Sequence, residues 1–116
     1  MAATPHATPQ ATQALALSHP ELPQAYRLLD GLTVSSLGLG TYLGRDNTED
    51  DEKYLQSALL MLSRGVNLLD TAINYRSQRS ERVLGQCLAR LPELGLTRSQ
   101  VVVCSKAGFL PFDGTT

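Results

Sequence analysis

Two apolar rhythms alternate along this chain and place its elements. "NTEDDEKYLQSALLMLSRG", residues 47–65, spaces Leu55, Ala58, Leu59 and Leu62 by three and four, which predicts a helix with one apolar face. Asn47 or Thr48 stands where a cap is needed, acids fill the first turn, and Gly65 after Arg64 marks the stop. A second helix is predicted from a cap at Ser80, with Val83, Leu84, Cys87, Leu88 and Leu91 on its apolar side and Pro92 and Gly95 beyond its end. Between and after the helices come short apolar runs. "SLGLGTYLG" reads as a strand entering a glycine-rich loop, and "VNLLDT" as a buried strand. "QVVVCSK" reads as a strand whose three valines favour a position covered on both faces. Ahead of them, Asp30-Gly31 separates two apolar stretches in "YRLLDGLTVS" and predicts a two-residue hairpin.

The order is hairpin, strand, helix, strand, helix, strand. Strands alternating with helices imply parallel pairing through crossovers, hence an α/β fold. The sequence then reaches "AGFLPFDGTT", in which a third βα unit has opened and not closed, so residues 26–116 are expected to form the front part of a larger α/β domain. Residues 1–25, rich in Ala, Thr, Pro and Gln, are expected to be a mobile tail.

Composition narrows the function classes. The 116 residues carry ten basic and eleven acidic side chains, a net charge of −1 that offers no electrostatic argument for nucleic acid or an anionic membrane. No apolar run approaches the roughly 18 residues a membrane helix needs, and a secretory leader is not expected. Cys87 and Cys104 lie inside apolar patterns and form no CxxC or Cys/His cluster, so both are expected to be reduced core residues of a cytoplasmic protein, with no metal site.

Candidate chemistry sits where strands end. In parallel α/β proteins, sites gather at the carboxyl ends of strands. Asp70 ends one strand and Lys106 the next, and alternation puts Asp70 on the face of Val66 and Leu68, and Lys106 on that of Val102 and Cys104. Cut at one level, the two strands would bring carboxylate and ammonium together. Lysine is otherwise rare here, Lys53 being the other one. Tyr75, in the loop after Asp70, could fold back over the rim. Free tyrosine has a pKa of about 10, and a neighbouring cation stabilises the phenolate. Such a trio suits a general acid that protonates a carbonyl oxygen while hydride arrives at carbon, the hydride coming from a nicotinamide cofactor. The bland alternative is a rim salt bridge beside a packing tyrosine.

At these residues the chain resembles a known family. "GVNLLDTAINYRSQRSERVLG" resembles the aldo-keto reductase signature in Gly65, Asp70-Thr71-Ala72, Tyr75, Ser80-Glu81 and Leu84-Gly85. "LGLGTYLG" is similar to the family's first strand and loop, and "VVVCSKAGF" to the strand carrying its active-site lysine. The resemblance covers residues 26–116. It implies the N-terminal part of a (β/α)8 TIM barrel: a bottom hairpin, about three strands and two helices, with the barrel incomplete in this chain. It further implies NADP(H)-dependent reduction of a small carbonyl substrate. By position, Tyr75 would be the acid/base, Lys106 its pKa modulator and Asp70 the lysine's partner. Gly40, Thr41, Tyr42 and Asp70 would lie by the cofactor, and Tyr42 and Phe109 could wall the substrate pocket. The family's fourth catalytic residue, a histidine after the next strand, has no counterpart, since His6 and His19 fall in the expected tail. The chain alone is therefore expected to be inactive, with possible self-association through open strand edges.

Other readings compete. Gly38 and Gly40 begin a G-x-G-x-x-G pattern, but Leu43 takes the third glycine's place and a polar loop follows, which rejects a dinucleotide fingerprint of that kind. Arg76, Arg79 and Arg82 could bind an anion, but are expected to form a solvated surface beside a helix start. A non-enzyme is the alternative function: a catalytically silent remnant, or a regulatory module docking on a complete barrel.

Overall fold

The computed structural model describes residues 6–109. Strands β1 (Tyr26–Leu29) and β2 (Leu32–Ser35) pair antiparallel, with Tyr26 opposite Ser35 and Leu29 opposite Leu32. Asp30 and Gly31 link them with φ of 50° and 80°, the two positive values that a tight hairpin turn of this hand requires. A separate sheet holds β3 (Leu39–Gly40), β4 (Leu68–Asp70) and β5 (Val102–Cys104), parallel and in chain order. Two longer helices connect them, α2 (Thr48–Ser63) between β3 and β4, and α3 (Arg79–Ala89) between β4 and β5.

The helix α2 forms as its sequence dictates. The Asn47 side-chain oxygen accepts from the Asp50 amide at 2.8 Å, which satisfies one of the orphan donors at the helix start. Leu55, Ala58, Leu59 and Leu62 are all buried and face Leu69 of β4 and Val83, Leu84 and Cys87 of α3 in one apolar cluster. Leu69 and Leu62 are fully enclosed. Among the described residues no helix is long and apolar enough to cross a membrane.

Gly65 ends α2 in a conformation that only glycine takes freely. Its φ is +96°, and a Cβ there would stand 2.6 Å from the Tyr26 hydroxyl and 3.0 Å from the His19 ring. The same hydroxyl donates to the Gly65 carbonyl at 2.6 Å, so hairpin and sheet are latched at this glycine. Gly65→Ala is therefore expected to destabilise the chain by more than about 1 kcal/mol, because alanine at positive φ loses more than its entropic advantage. A urea unfolding midpoint indistinguishable from that of the parent would refute the latch.

A second link is Asn67, which is wholly buried. Its amide nitrogen donates to the carbonyls of Thr33 and Gln100 at 3.0 and 3.2 Å, and its oxygen accepts from the Ser35 amide at 2.8 Å. One side chain thus joins β2, the entry of β4 and the turn before β5.

Several sequence expectations need correction. The segment expected to be a mobile tail contains a helix, α1 (Pro9–Leu17), capped by the Thr8 hydroxyl and started by Pro9. Leu15 and Thr12 are fully buried, the Thr12 hydroxyl accepts from the Thr33 amide at 3.0 Å, and the Thr8 amide donates to the Ser99 carbonyl. A short alanine-rich stretch with one buried leucine carries almost no periodicity, so its docking was hidden. Residues 1–5 of that segment lie outside the described residues, as do 110–116 of the final loop.

Ser80 does not cap α3. The helix starts from Gln78 in the left-handed region, while Ser80 sits inside the first turn and donates to the Thr41 carbonyl at 2.6 Å. Cys87 is buried as expected, but Cys104 is exposed. Val101 is enclosed, whereas Val102 and Val103 are only half-buried, so β5 is not covered on both faces by the described residues.

Candidate active site

The carboxyl ends of β3, β4 and β5 meet at one rim. Gly40 pairs with Asp70, and Asp70 with Cys104, which leaves the loops after all three strands on the same side. Thr71 continues the ladder by donating to the Cys104 carbonyl at 2.8 Å, and Ile73 donates to the Lys106 carbonyl at 2.9 Å. These bonds carry Lys106 past the end of β5 and level with the exit from β4.

The lysine then reaches back. Lys106 Nζ donates to Asp70 Oδ1 at 2.9 Å and to the Thr71 carbonyl at 2.7 Å. The Asp70 carboxylate holds the ammonium above the usual lysine range against some desolvation, and the Tyr75 phenol adds to the effect. Both partners are about half exposed, with 51 % and 44 % of their side chains open to water, so screening keeps the pair weak as a contributor to stability. Its value is directional. The ammonium is held 5.0 Å from the centroid of the Tyr75 ring, within the range of a cation–π contact.

Tyr75 meets Tyr42 edge to face, with ring centroids 5.0 Å apart and planes inclined by 70°. Around them lies a cavity of about 380 Å³ lined by Tyr42, Ala72, Asn74, Tyr75, Lys106, Gly108 and Phe109. Tyr42 and Phe109 are largely exposed, 65 % and 75 %, as befits walls rather than core. All of the trio proposed from the sequence therefore lies at one end of the sheet.

The residues expected beside a cofactor divide. Gly40 opens onto space, with no atom within 4 Å of where a Cβ would project. Thr41 is fully buried and its hydroxyl donates to the Asp70 carbonyl at 2.9 Å, so that hydroxyl braces the strand end instead of facing a ligand. The Thr71 hydroxyl is buried beside it without a partner among the described residues. His19 is packed beside Gly65, at the entry to β4 and so at the end away from this rim, with its Nδ1 2.8 Å from the Glu21 carboxylate.

Two residues escaped the sequence reading. Asn74 lines the cavity, and only its neighbourhood to Tyr75 could have marked it. Arg76 was expected on a solvated surface with Arg79 and Arg82, yet it is 5 % exposed. Its Nε donates to the Arg45 carbonyl at 2.9 Å, and its Nη2 to the Asn47 carbonyl at 3.3 Å and Asp51 Oδ1 at 2.6 Å. Acid and carbonyls at the start of α2 draw it inward.

Comparison with known proteins agrees with the sequence resemblance. Residues 36–116 match the Aldo/keto reductase family. The chain is 38 % identical over 84 residues to the NADH-specific methylglyoxal reductase of Escherichia coli K12, covering 68 % of this chain and 24 % of that protein. It is 34 % identical over 91 residues to the chloroplastic pyridoxal reductase of Arabidopsis thaliana, covering 70 % of this chain and 25 % of that one. The chain thus spans about a quarter of the length of these curated relatives.

Proposed function

The chain belongs to the Aldo/keto reductase family, and from that premise we propose that it carries the acid–base part of a nicotinamide-dependent carbonyl reductase. The observation that supports this most directly is the ammonium of Lys106, tied to Asp70 and Thr71 and set 5.0 Å from the Tyr75 ring, in one cavity at the strand ends. Tyr75 is the general acid. It gives its proton to the substrate's carbonyl oxygen, and the nearby cation stabilises the negative charge left on the phenol. Asp70 is a positioning residue, since it acts by holding the lysine.

The site suits a nicotinamide. The cavity is walled by the rings of Tyr42, Tyr75 and Phe109, which offer apolar faces to a planar ring, and Asn74 and Lys106 bring polar groups to the same space. Gly40, Tyr42 and Asp70 would lie along the ring and its ribose, with Thr41 contributing backbone only. The bound cofactor supplies hydride. NADP(H) is the form expected from the resemblance, and NADH is the form named for the Escherichia coli relative. The substrate class is a small aldehyde or ketone, in keeping with the methylglyoxal and pyridoxal of the two relatives' names.

In this reading β3, β4 and β5 are strands of a (β/α)8 barrel, with the hairpin and α1 at its floor. The hairpin's links to Gly65 and Asn67, both before β4, put it at the end opposite Asp70. Such a barrel takes about 250 residues, so the 116-residue chain by itself is not a competent reductase.

A chimera tests the proposal. The matched segment of the Escherichia coli methylglyoxal reductase is replaced by that of this chain. The folded chimera is expected to reduce methylglyoxal with a nicotinamide cofactor, while the 116-residue chain alone gives neither turnover nor micromolar NADPH binding by fluorescence. A folded, cofactor-binding chimera without turnover would sink the assignment of the site.

A further inference from the structure

We propose that Arg76 is the positioning residue for Tyr75: its buried guanidinium locks a left-handed turn against the start of α2 and so fixes where the phenol lies. The inference rests on reading Tyr75 as the proton donor. Tyr75 is itself only half-buried, and its ring touches two partly exposed side chains, Tyr42 and Lys106. Neither contact is a rigid socket. Placement has to come from the backbone, and between Ala72 and Ser80 the only buried residue is Arg76.

The backbone there is unusual. Arg76, Ser77 and Gln78 have φ of 52°, 56° and 72°, three successive left-handed residues without a glycine among them. L-residues visit this region singly and at a cost, and a run of three persists only where its surroundings impose it. The surroundings here are specific. The Arg76 fork spans from the Arg45 and Asn47 carbonyls to the Asp51 carboxylate, and the guanidinium carbon lies 5.0 Å from the Tyr54 ring centroid. Ser77 donates to Asp46 Oδ2 at 2.6 Å, and Arg79 Nε lies 3.5 Å from the other Asp51 oxygen. Tyr54 in turn donates to the Leu43 carbonyl, which ties the loop after β3 to the same cluster.

The turn begins at the residue after Tyr75. The Tyr75 amide donates to the Ala72 carbonyl at 3.1 Å, and the Tyr75 carbonyl accepts from the Ser80 amide at 3.4 Å, so the tyrosine's peptide units close a loop over the left-handed run. Relaxation of the run to right-handed backbone would redirect the chain as it leaves Tyr75 and carry the phenol away from Lys106. Lysine at position 76 keeps the charge beside Asp51 but lacks the planar fork that reaches two carbonyls and a carboxylate together.

Two measurements on Arg76→Lys decide the matter. In the 116-residue chain, amide hydrogen exchange of residues 75–79 is expected to accelerate while α2 and α3 keep their protection. In the chimera, kcat per folded molecule is expected to fall about tenfold or more, the scale on which small misplacements act, with the cofactor KM unchanged. Exchange and kcat that match the parent would overturn the inference. So would exchange that rises uniformly through α2 and α3 with kcat per folded molecule intact, which is the mark of a merely structural role. Tyr75→Phe, run alongside, separates the two levels. An impaired Tyr75→Phe beside an unimpaired Arg76→Lys overturns the inference alone, and a fully active Tyr75→Phe overturns it together with the reading of Tyr75.

Discussion

Tyr75→Phe in the active chimera is expected to lower turnover by about 10²-fold or more while leaving cofactor affinity nearly unchanged. The substitution removes one oxygen and keeps the ring, so the edge contact with Tyr42 and the face presented to Lys106 both survive. What disappears is the only atom of the residue that can pass a proton. General acid catalysis of this kind contributes about 10²–10⁴-fold, and the loss belongs in kcat because the proton moves as the transition state forms. Steady-state kinetics with a reactive aldehyde, beside a cofactor titration, make the test. Turnover within a few-fold of the parent would mean that the tyrosine packs and nothing more.

Lys106→Met is expected to depress turnover at neutral pH by about tenfold or more. The reason is charge. As Tyr75 gives up its proton in the transition state, negative charge develops on the phenol, and a neighbouring ammonium stabilises it. Asp70 holds that ammonium above the ordinary lysine range, so it is charged at neutral pH. Methionine retains the length of the stem without the charge. Full activity in a folded Lys106→Met chimera would reduce Lys106 to the rim salt bridge that its exposure also allows.

Much of this arrangement was legible in the sequence, and the reason is local. The α2 cap, its apolar face and its terminal glycine are written within 19 consecutive residues, and each acts on its near neighbours. The Asp70–Lys106 pair was legible because parity puts both side chains at one rim, but Lys106 does not end its strand: Asp70 is level with Cys104, where β5 stops, and the long lysine side chain reaches back from two residues beyond. Arg76 was not legible. Its charge advertises solvent, and its burial depends on Arg45, Asn47 and Asp51, all 25 or more residues away in the chain. The misreading of Ser80 has the same origin. Serine before an apolar run signals a cap, but here the preceding left-handed turn begins the helix earlier and frees that hydroxyl for the Thr41 carbonyl. The docking of α1 depended likewise on Thr33 and Ser99, neither of which leaves a trace in the alanine-rich segment.

That docking has a consequence for the order in which the molecule assembles. The amide of Thr8 is bonded to the carbonyl of Ser99, so α1 is synthesised well before a residue that holds it in place. At about 5–20 residues per second, the ribosome delivers Ser99 several seconds or more after α1 is complete. Throughout that interval the Thr8 amide lacks its acceptor, and the helix lacks the turn of residues 98–100 that it packs against. A nascent chain stalled before Ser99 should therefore leave α1 open to a protease that a chain extended past β5 resists.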